Sequence, residues 1–170
     1  MRQVTPYIAA SVDGKKALGR IRLPSMGEKS SRKTIFVYSD DSDVRGAVVS
    51  ALGRRLSADL PEHDIYEFAT GDALRARIDG KSLGAKADLI ILDGEAVPEG
   101  GMGISRQLKD EVFQCPPVLL ITGRPDDAWL AAWSRADASV LAPIDPFTFA
   151  KSAADLLRSH SVAAPHGARH

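Results

Sequence analysis

The sequence has 170 residues, of which 44% are hydrophobic and 26% are charged, with 22 Lys or Arg balanced by 22 Asp or Glu. This size allows one domain with a sizeable core, and the composition is typical of a globular protein in water. No apolar run approaches the roughly 18 residues of a membrane-spanning helix, and the amino terminus lacks the apolar stretch and cleavage site of a signal peptide. We therefore expect a cytoplasmic protein.

The sequence contains one cysteine, Cys115, and four histidines. A single cysteine excludes an internal disulfide, and its position before two prolines fits no metal-ligand spacing, so packing is its expected role. Three of the histidines fall in a polar stretch at the carboxyl terminus. We predict neither a zinc site nor a nucleophile and base pair from these residues.

The charges are unevenly divided along the chain. Residues 1–33 carry eight Lys or Arg against two acids, a net charge of +6, whereas residues 34–158 carry thirteen Lys or Arg against twenty acids, a net charge of −7. The sequence therefore predicts a basic N-terminal arm attached to an acidic domain.

The basic arm, residues 1–33, contains Gly and Pro at irregular positions and shows no sustained helical or strand period, so we expect an irregular segment. Its scattered apolar residues distinguish it from an ordinary solubility tail and make it a candidate to fold against a partner. The residues proposed as anchors are Tyr7, Ile8, Ile21 and Leu23. Two alternatives to a partner-binding arm are a flexible tail without a role and a natural start of the chain at Met26.

From residue 34 onward the pattern predicts strands and helices in strict alternation. The run TIFVY predicts a first strand, which the acidic turn SDDSD joins to a helix. DIYEFA predicts a second strand, and Thr70 precedes a helix that carries Leu74 and Ile78 on one face. ADLIILD predicts a third, fully buried strand that ends at Asp93, before a loop rich in Gly and Pro and a third helix.

Two further units complete the pattern. PVLLIT predicts a fourth strand that ends at Thr122, and Pro125 is placed to start a fourth helix. Residues 138–142 predict a fifth strand, a last helix follows to residue 158, and residues 159–170 are expected to be a flexible tail. Alternating units of this kind imply an α/β fold, a five-stranded parallel sheet with helices on both faces.

The residues at the strand ends resemble those of the receiver domain of two-component response regulators, which has a flavodoxin-like fold. Acids follow the first strand, an aspartate follows the third, a threonine follows the fourth and a proline follows the fifth. The resemblance covers residues 34–158. In receivers the aspartate of strand three accepts a phosphoryl group, and acids after strand one hold Mg²⁺. A hydroxyl of strand four binds the phosphoryl oxygens, and a lysine of strand five neutralises them. The resemblance implies these roles for matching residues.

Three residues match the receiver pattern. Asp93 is the phosphoacceptor equivalent, Asp40 is the second of the paired acids, and Thr122 supplies the phosphoryl-binding hydroxyl. Ser39 stands where the first acid belongs, so the Mg²⁺ site that the resemblance implies is weakened to Asp40, Asp93 and the neighbouring Asp41. We expect no required cofactor.

The lysine position of strand five holds Ala142, and a methyl group cannot replace an ammonium on a four-carbon stem. Arg124, two residues after Thr122, is the basic residue that could reach the site instead. The aromatic residue that receivers carry in strand five is also missing, with Ser139 near its place. These departures indicate a pseudo-receiver, a receiver fold retained for its surface.

The predicted fourth helix carries Trp129 and Trp133, which are four residues apart and share one face. Trp is enriched in interface hot spots, so this face is a candidate binding surface. The resemblance agrees, because receivers commonly dock through the face of helix four, strand five and helix five. Packing of one or both tryptophans in the core is the alternative.

The leading hypothesis is a non-catalytic binding subunit. The chain also resembles the orphan receiver-like proteins of actinobacteria. The resemblance lies in SDD at strand one, ILDGEA at strand three and ITGRPDD after strand four. That resemblance implies an accessory role on the soluble arm of the respiratory NADH:quinone oxidoreductase, complex I, at the inner face of the membrane.

Two other functions are weighed against this one. A single-domain response regulator would be phosphorylated on Asp93 with Mg²⁺ by a histidine kinase. A nucleotide- or flavin-binding enzyme on the same topology is disfavoured, because acids occupy the first turn where a phosphate cradle needs glycines. No DNA-reading helix-turn-helix follows the domain, so we expect no nucleic-acid partner.

Overall fold

The structure, a computed structural model, describes residues 32–80 and 86–163. The proposed arm anchors Tyr7, Ile8, Ile21 and Leu23 lie outside these residues, as does Met26. Five parallel strands form one sheet in the order β2-β1-β3-β4-β5. Their bounds are β1 (Lys33–Tyr38), β2 (His63–Phe68), β3 (Leu89–Asp93), β4 (Val118–Thr122) and β5 (Ala138–Leu141). The predicted fold class is confirmed.

Five α-helices connect and follow the strands. Their bounds are α1 (Ser42–Leu52), α2 (Gly71–Ile78), α3 (Gly101–Glu111), α4 (Ala128–Trp133) and α5 (Pro146–Ala163). The helix starts follow local chemistry: the Asp41 side chain accepts from the Asp43 N–H at the start of α1, and the Thr70 side chain accepts from the Ala73 N–H at the start of α2. No helix in the described part of the chain is long and apolar enough to cross a membrane.

Two apolar clusters cover the two faces of the sheet. On one face, α1 and α5 pack against alternate strand residues, with Phe149 and Leu52 among the fully buried side chains. On the other face, Leu74 of α2, Ile104 of α3 and Ala131 of α4 pack against the remaining strand residues. β3 and β4 are buried along their whole length because they are covered from both sides. The carboxyl ends of these strands are therefore held in fixed positions.

The structure differs from the sequence-based prediction at three places. Pro125 starts a 3₁₀ turn, Pro125–Asp127, and α4 begins only at Ala128, so this helix is a short one of six residues. Lys33, assigned to the arm, is the first residue of β1. α5 continues to Ala163, so the first five residues of the predicted flexible tail are helical, because their backbone extends the last turns of α5.

Gly101 and Gly103 of α3 provide a matched test of this packing. A Cβ on Gly101 would lie 2.5 Å from the carbonyl oxygen of Asp93, whereas a Cβ on Gly103 would meet nothing within 4 Å. We expect Gly101→Ala to lower the free energy of unfolding by about 1–3 kcal/mol, because the helix would be pushed off the end of β3. Gly103→Ala should raise it by up to about 1 kcal/mol through helix propensity. Urea denaturation measures both, and a shift of the two midpoints in the same direction would contradict the packing.

Candidate functional site

The candidate site lies at the carboxyl edge of the sheet, where β1, β3 and β4 end side by side. Tyr38 pairs with Leu92 and Asp93 pairs with Ile121, so Ser39, Asp93 and Thr122 leave neighbouring strands at one level. All three side chains are buried. The structure thus brings together the acceptor-equivalent carboxylate with the residues that follow β1 and end β4.

Asp93 is 5% exposed, and its carboxylate is held by two donors. The Ser39 hydroxyl donates to Oδ2 at 2.7 Å, and the Glu95 backbone N–H donates to Oδ1 at 2.9 Å. Ser39 is fully buried, and its oxygen also accepts from the Asp41 N–H at 3.1 Å. The residue that replaces an acid in the receiver pattern is therefore a direct hydrogen-bond partner of Asp93, a contact that the sequence analysis did not predict.

The predicted metal-ligand acids have other hydrogen-bond partners. Asp40 Oδ1 accepts from the Val97 N–H at 3.1 Å, and Asp41 Oδ1 accepts from the Asp43 N–H at 2.7 Å as the cap of α1. Within residues 32–80 and 86–163, no group of three or more His, Cys, Asp or Glu is placed to hold a metal ion. This donor set does not fit a divalent cation, which prefers several converging oxygen ligands, and Ser39 presents its hydroxyl proton to Asp93.

Thr122 and Ala142 occupy the positions expected from the receiver pattern but make different contacts. The Thr122 hydroxyl donates to the Val140 carbonyl of β5 at 3.4 Å, so it is directed along the sheet. The Ala142 N–H donates to the Thr122 carbonyl at 2.8 Å, which fixes the start of the β5–α5 loop. A Cβ on Gly123 would lie 2.8 Å from the Glu95 carboxyl carbon, so the small residue after Thr122 makes room for Glu95.

A cavity of about 460 Å³ opens beside Asp93, between α1 and the β5–α5 loop. Its walls combine carboxylates with apolar side chains. The carboxylates are those of Asp40, Asp41, Asp43, Asp93 and Glu95. The apolar residues are Val44, Ala47, Ile121, Ala142, Pro143 and Ile144.

The charge in this cavity is of one sign. Among the described residues, no Lys, Arg or His lines it, and none of its five carboxylates forms an ion pair. Arg124, the basic residue considered as a replacement for the missing lysine, is exposed and does not line the cavity. A phosphoryl group on Asp93 would add further negative charge here without a compensating cation.

The loop after Asp93 is tied to two other elements. The Tyr38 hydroxyl donates to the Glu99 carbonyl at 2.6 Å, and burial raises the pKa of Tyr38, with the Glu99 carboxylate adding to the effect. The Glu99 side chain pairs with Arg75 of α2, whose Nε also donates to Gln107 of α3 at 3.0 Å. These contacts connect the loop to β1, α2 and α3.

Both tryptophans of α4 are exposed, Trp129 by 67% and Trp133 by 50%, so packing in the core is wrong for both. Arg106 of α3 lies 5.8 Å from the Trp133 ring. On β5 and at the start of α5, Leu141 and Phe147 are also exposed. Ser139, the residue at the missing aromatic position, is exposed on β5 as well.

Neither Cys115 nor the described histidines belong to the site. Cys115 is partly buried beside α3, and burial raises the pKa of its thiol, which opposes thiolate formation. His63 is buried at the start of β2, where its Nε2 lies 2.8 Å from the Gly53 carbonyl oxygen. Both residues therefore have structural surroundings at the opposite edge of the sheet from Asp93.

The sequence pattern indicated four residues of the cavity walls, Asp40, Asp41, Asp93 and Ala142, but no role for Glu95. Glu95 stands only two residues after Asp93. The one sequence signal for its position is Gly123, whose small size leaves room for the Glu95 side chain. Val44, Ala47 and Ile144 carried no sequence signal that indicated a site. Which side of a helix faces a cavity depends on how the helix crosses the sheet, and that is a property of the assembled fold.

The fold and site agree with comparisons to known proteins. No family model matches the chain. An uncharacterized response regulatory protein from two strains of Mycobacterium tuberculosis is 49% identical over 134 residues, which are 79% of this chain and 98% of that protein. The chain therefore belongs to the response regulators, and its domain is a receiver domain. It is similar to the mycobacterial protein over almost the whole length of that protein.

Solved structures show the same fold at low sequence identity. The response regulator DrrB of Thermotoga maritima has a TM-score of 0.60 and 18% identity over 75% of this chain, which spans only 54% of that longer protein. The phosphorylated cyanobacterial phytochrome response regulator RcpA has a TM-score of 0.60 and 15% identity, over 81% of this chain and 100% of that one. These likenesses establish the fold alone.

Ser39→Ala tests the contact to Asp93. The change removes a donor from a buried carboxylate and an acceptor from the Asp41 N–H, so we expect the free energy of unfolding to fall by about 1–3 kcal/mol. Ser50→Ala, on the exposed side of α1, is the control and should change it by less than about 0.5 kcal/mol. Equal effects of the two substitutions in urea denaturation would contradict the role of Ser39.

Proposed function

We propose that this receiver-fold protein works as a non-catalytic binding subunit of a larger protein complex and that phosphorylation of Asp93 is lost or impaired. The observation that carries the proposal is the cavity of five carboxylates in which Ala142 holds the lysine position and no described Lys or Arg is present. Receiver domains are in general signalling domains without an enzymatic activity of their own.

Electrostatics supports the loss of phosphoryl transfer. Phosphoryl transfer requires cations to neutralise the developing charge on the phosphoryl oxygens, and the nearby carboxylates make this requirement stricter. Ser39 uses its hydroxyl to stabilise the unmodified Asp93 carboxylate, and the side chains of Asp40 and Asp41 accept backbone hydrogens. Because Ser39 has a hydroxyl in place of a carboxylate, Mg²⁺ would find one anionic ligand fewer in this pocket.

The exposed aromatic surface supports binding of a protein. Trp129 and Trp133 present two large side chains on one face of a short helix, and exposed tryptophans are frequent anchors of interfaces. Leu141 and Phe147 extend apolar exposure onto β5 and α5. We define these four residues as the α4–β5–α5 surface and assign it as the main contact with the partner, with the basic arm, residues 1–33, as a second contact on an acidic surface.

The soluble arm of respiratory complex I is the partner that the resemblance to actinobacterial orphan receivers suggests. In this proposal the protein is cytoplasmic and reaches the inner face of the membrane only through that complex. It requires no cofactor and binds no nucleic acid.

A functional single-domain response regulator is the second candidate. The position of Asp93, buried at the end of β3 and one strand away from Thr122, favours it. In this alternative a histidine kinase phosphorylates Asp93 with Mg²⁺.

Capture of complexes from native cell extract tests the binding function. We expect the full-length protein to recover a defined complex, and the Trp129→Ala/Trp133→Ala variant to lose most of it, since hot-spot aromatics contribute about 2 kcal/mol or more each. Phe113→Ala, which removes an aromatic side chain that is 90% exposed elsewhere on the surface, is the matched control and should leave recovery unchanged. Asp93→Asn should also leave it unchanged. Recovery of no complex by the full-length protein would overturn the proposal.

Phosphorylation by a small acyl phosphate tests the second candidate. We expect no Mg²⁺-dependent increase in intact mass for the natural chain, and a gain of labelling in the Ser39→Asp/Ala142→Lys variant, because this variant restores the missing ligand and the missing cation. Adding Asp93→Asn should abolish the gain. Efficient labelling of the natural chain that disappears in Asp93→Asn would instead establish the response regulator.

A further inference from the structure

The cavity beside Asp93 has two walls of different chemistry. The wall formed by the β5–α5 loop is apolar and consists of Ala142, Pro143 and Ile144. The opposite wall, formed by the turn after β1 and the start of α1, carries the carboxylates of Asp40, Asp41 and Asp43. We call this cavity the carboxyl-edge groove. An occupant that fits it would present apolar side chains on one side and positive charges on the other.

The carboxylates of the acidic wall form no ion pair with a Lys or Arg of the described part of the chain. Asp40, Asp41 and Asp43 are all exposed. Arg45 of α1 pairs with Glu67 and donates to the Ser39 carbonyl at 2.6 Å, and Arg75 of α2 pairs with Glu99. Several like charges around one groove repel one another, so a cationic occupant would relieve an unfavourable electrostatic energy.

The basic arm contains a segment that matches both walls. Residues 20–23 read Arg-Ile-Arg-Leu. In an extended chain, alternate side chains point to opposite sides, so Ile21 and Leu23 would lie on one side and Arg20 and Arg22 on the other. The apolar pair could then pack against Pro143 and Ile144, and the guanidinium groups could form ion pairs with the aspartates of the opposite wall.

The connection between this segment and the domain is long enough. The described chain begins at Arg32, at the amino end of β1, where Arg32 pairs with Glu62 and Asp64. A strand of six residues spans about 20 Å, so the groove at the carboxyl end of β1 is about that far along the sheet. The nine residues 24–32 reach up to about 30 Å when extended, which exceeds this straight-line distance and leaves length for a route around the domain surface.

We propose that residues 20–23 of the chain's own arm occupy the carboxyl-edge groove. Ile21 and Leu23 contact the apolar wall, and Arg20 and Arg22 pair with the aspartates of the acidic wall. The arm thereby supplies the positive charge that Ala142 does not. This inference does not depend on the proposed function, because it concerns a contact within one chain. With residues 20–23 in the groove, the rest of the arm is left for the contact with the partner.

Paramagnetic relaxation enhancement in the full-length protein tests the contact. A spin label is placed at Ser25→Cys in a Cys115→Ser background, and the amide signals of the domain are recorded. We expect line broadening at residues 43–47 and 142–145, and loss of this broadening in the Arg20→Glu/Arg22→Glu variant. Lys15→Glu/Lys16→Glu makes the same charge change elsewhere in the arm and should leave the broadening in place. Salt near 1 M, where the Debye length is about 3 Å, should weaken it.

A change on the groove side provides an independent test. Ala47 lines the groove and is exposed on α1, so Ala47→Arg can introduce a bulky cation while the helix is retained. It should displace the arm and remove the broadening, with circular dichroism confirming that the fold is intact. Broadening restricted to the amino edge of the sheet near Arg32 would overturn the proposal. So would broadening that arises only between a spin-labelled chain and a separate isotope-labelled chain, because the occupant would then be a second copy.

Discussion

The buried carboxylate of Asp93 sets the conditions for everything around it. A carboxylate that is 5% exposed needs donors inside the protein, and the fold offers the Ser39 hydroxyl and the Glu95 N–H. Ser39 can serve because β1 and β3 are adjacent and end at the same level. Gly101 is required because α3 starts against the Asp93 backbone. The turn after β1 and the loop after β3 thus satisfy the carboxylate of Asp93, and Gly101 lets α3 pack against the backbone of the same residue.

β3 and β4 were predictable because each is a short apolar run with turn residues on both sides, and β2, which also contains Asp64 and Glu67, followed from its place in the pattern. Strict alternation with helices then leaves one sheet architecture. The position of Asp93 followed from the same pattern, since polar residues after buried strands meet at one edge. The hydrogen bond from Ser39 was not predictable, because it depends on a rotamer and on which strands are neighbours. The exposure of Trp129 and Trp133 was also undecided, because α4 is too short for its periodicity to separate a buried face from an exposed one.

The cavity combines two properties that rarely serve the same purpose. Its carboxylates disfavour any anion, and its apolar wall, including Ile144 and Pro143, gives it the ability to take up a hydrophobic side chain. A phosphorylation pocket needs cations that neutralise the carboxylates, and it does not need the apolar wall. A binding groove uses both. Ala142, which stands at the lysine position of the receiver pattern, brings no cation, and its small side chain leaves room for a peptide side chain.

The loop after Asp93 is fixed by several contacts, and these contacts affect the entropy that binding at this edge would lose. Tyr38, Glu99 and Arg75 join the loop to β1 and α2, and Gln107 of α3 extends the connection. A loop fixed at several points has few alternative conformations. Association with such a surface loses little conformational entropy, because the surface is already ordered before the partner arrives. On this side of the sheet edge, the affinity for a bound partner would therefore depend on contacts and charge rather than on a change of shape.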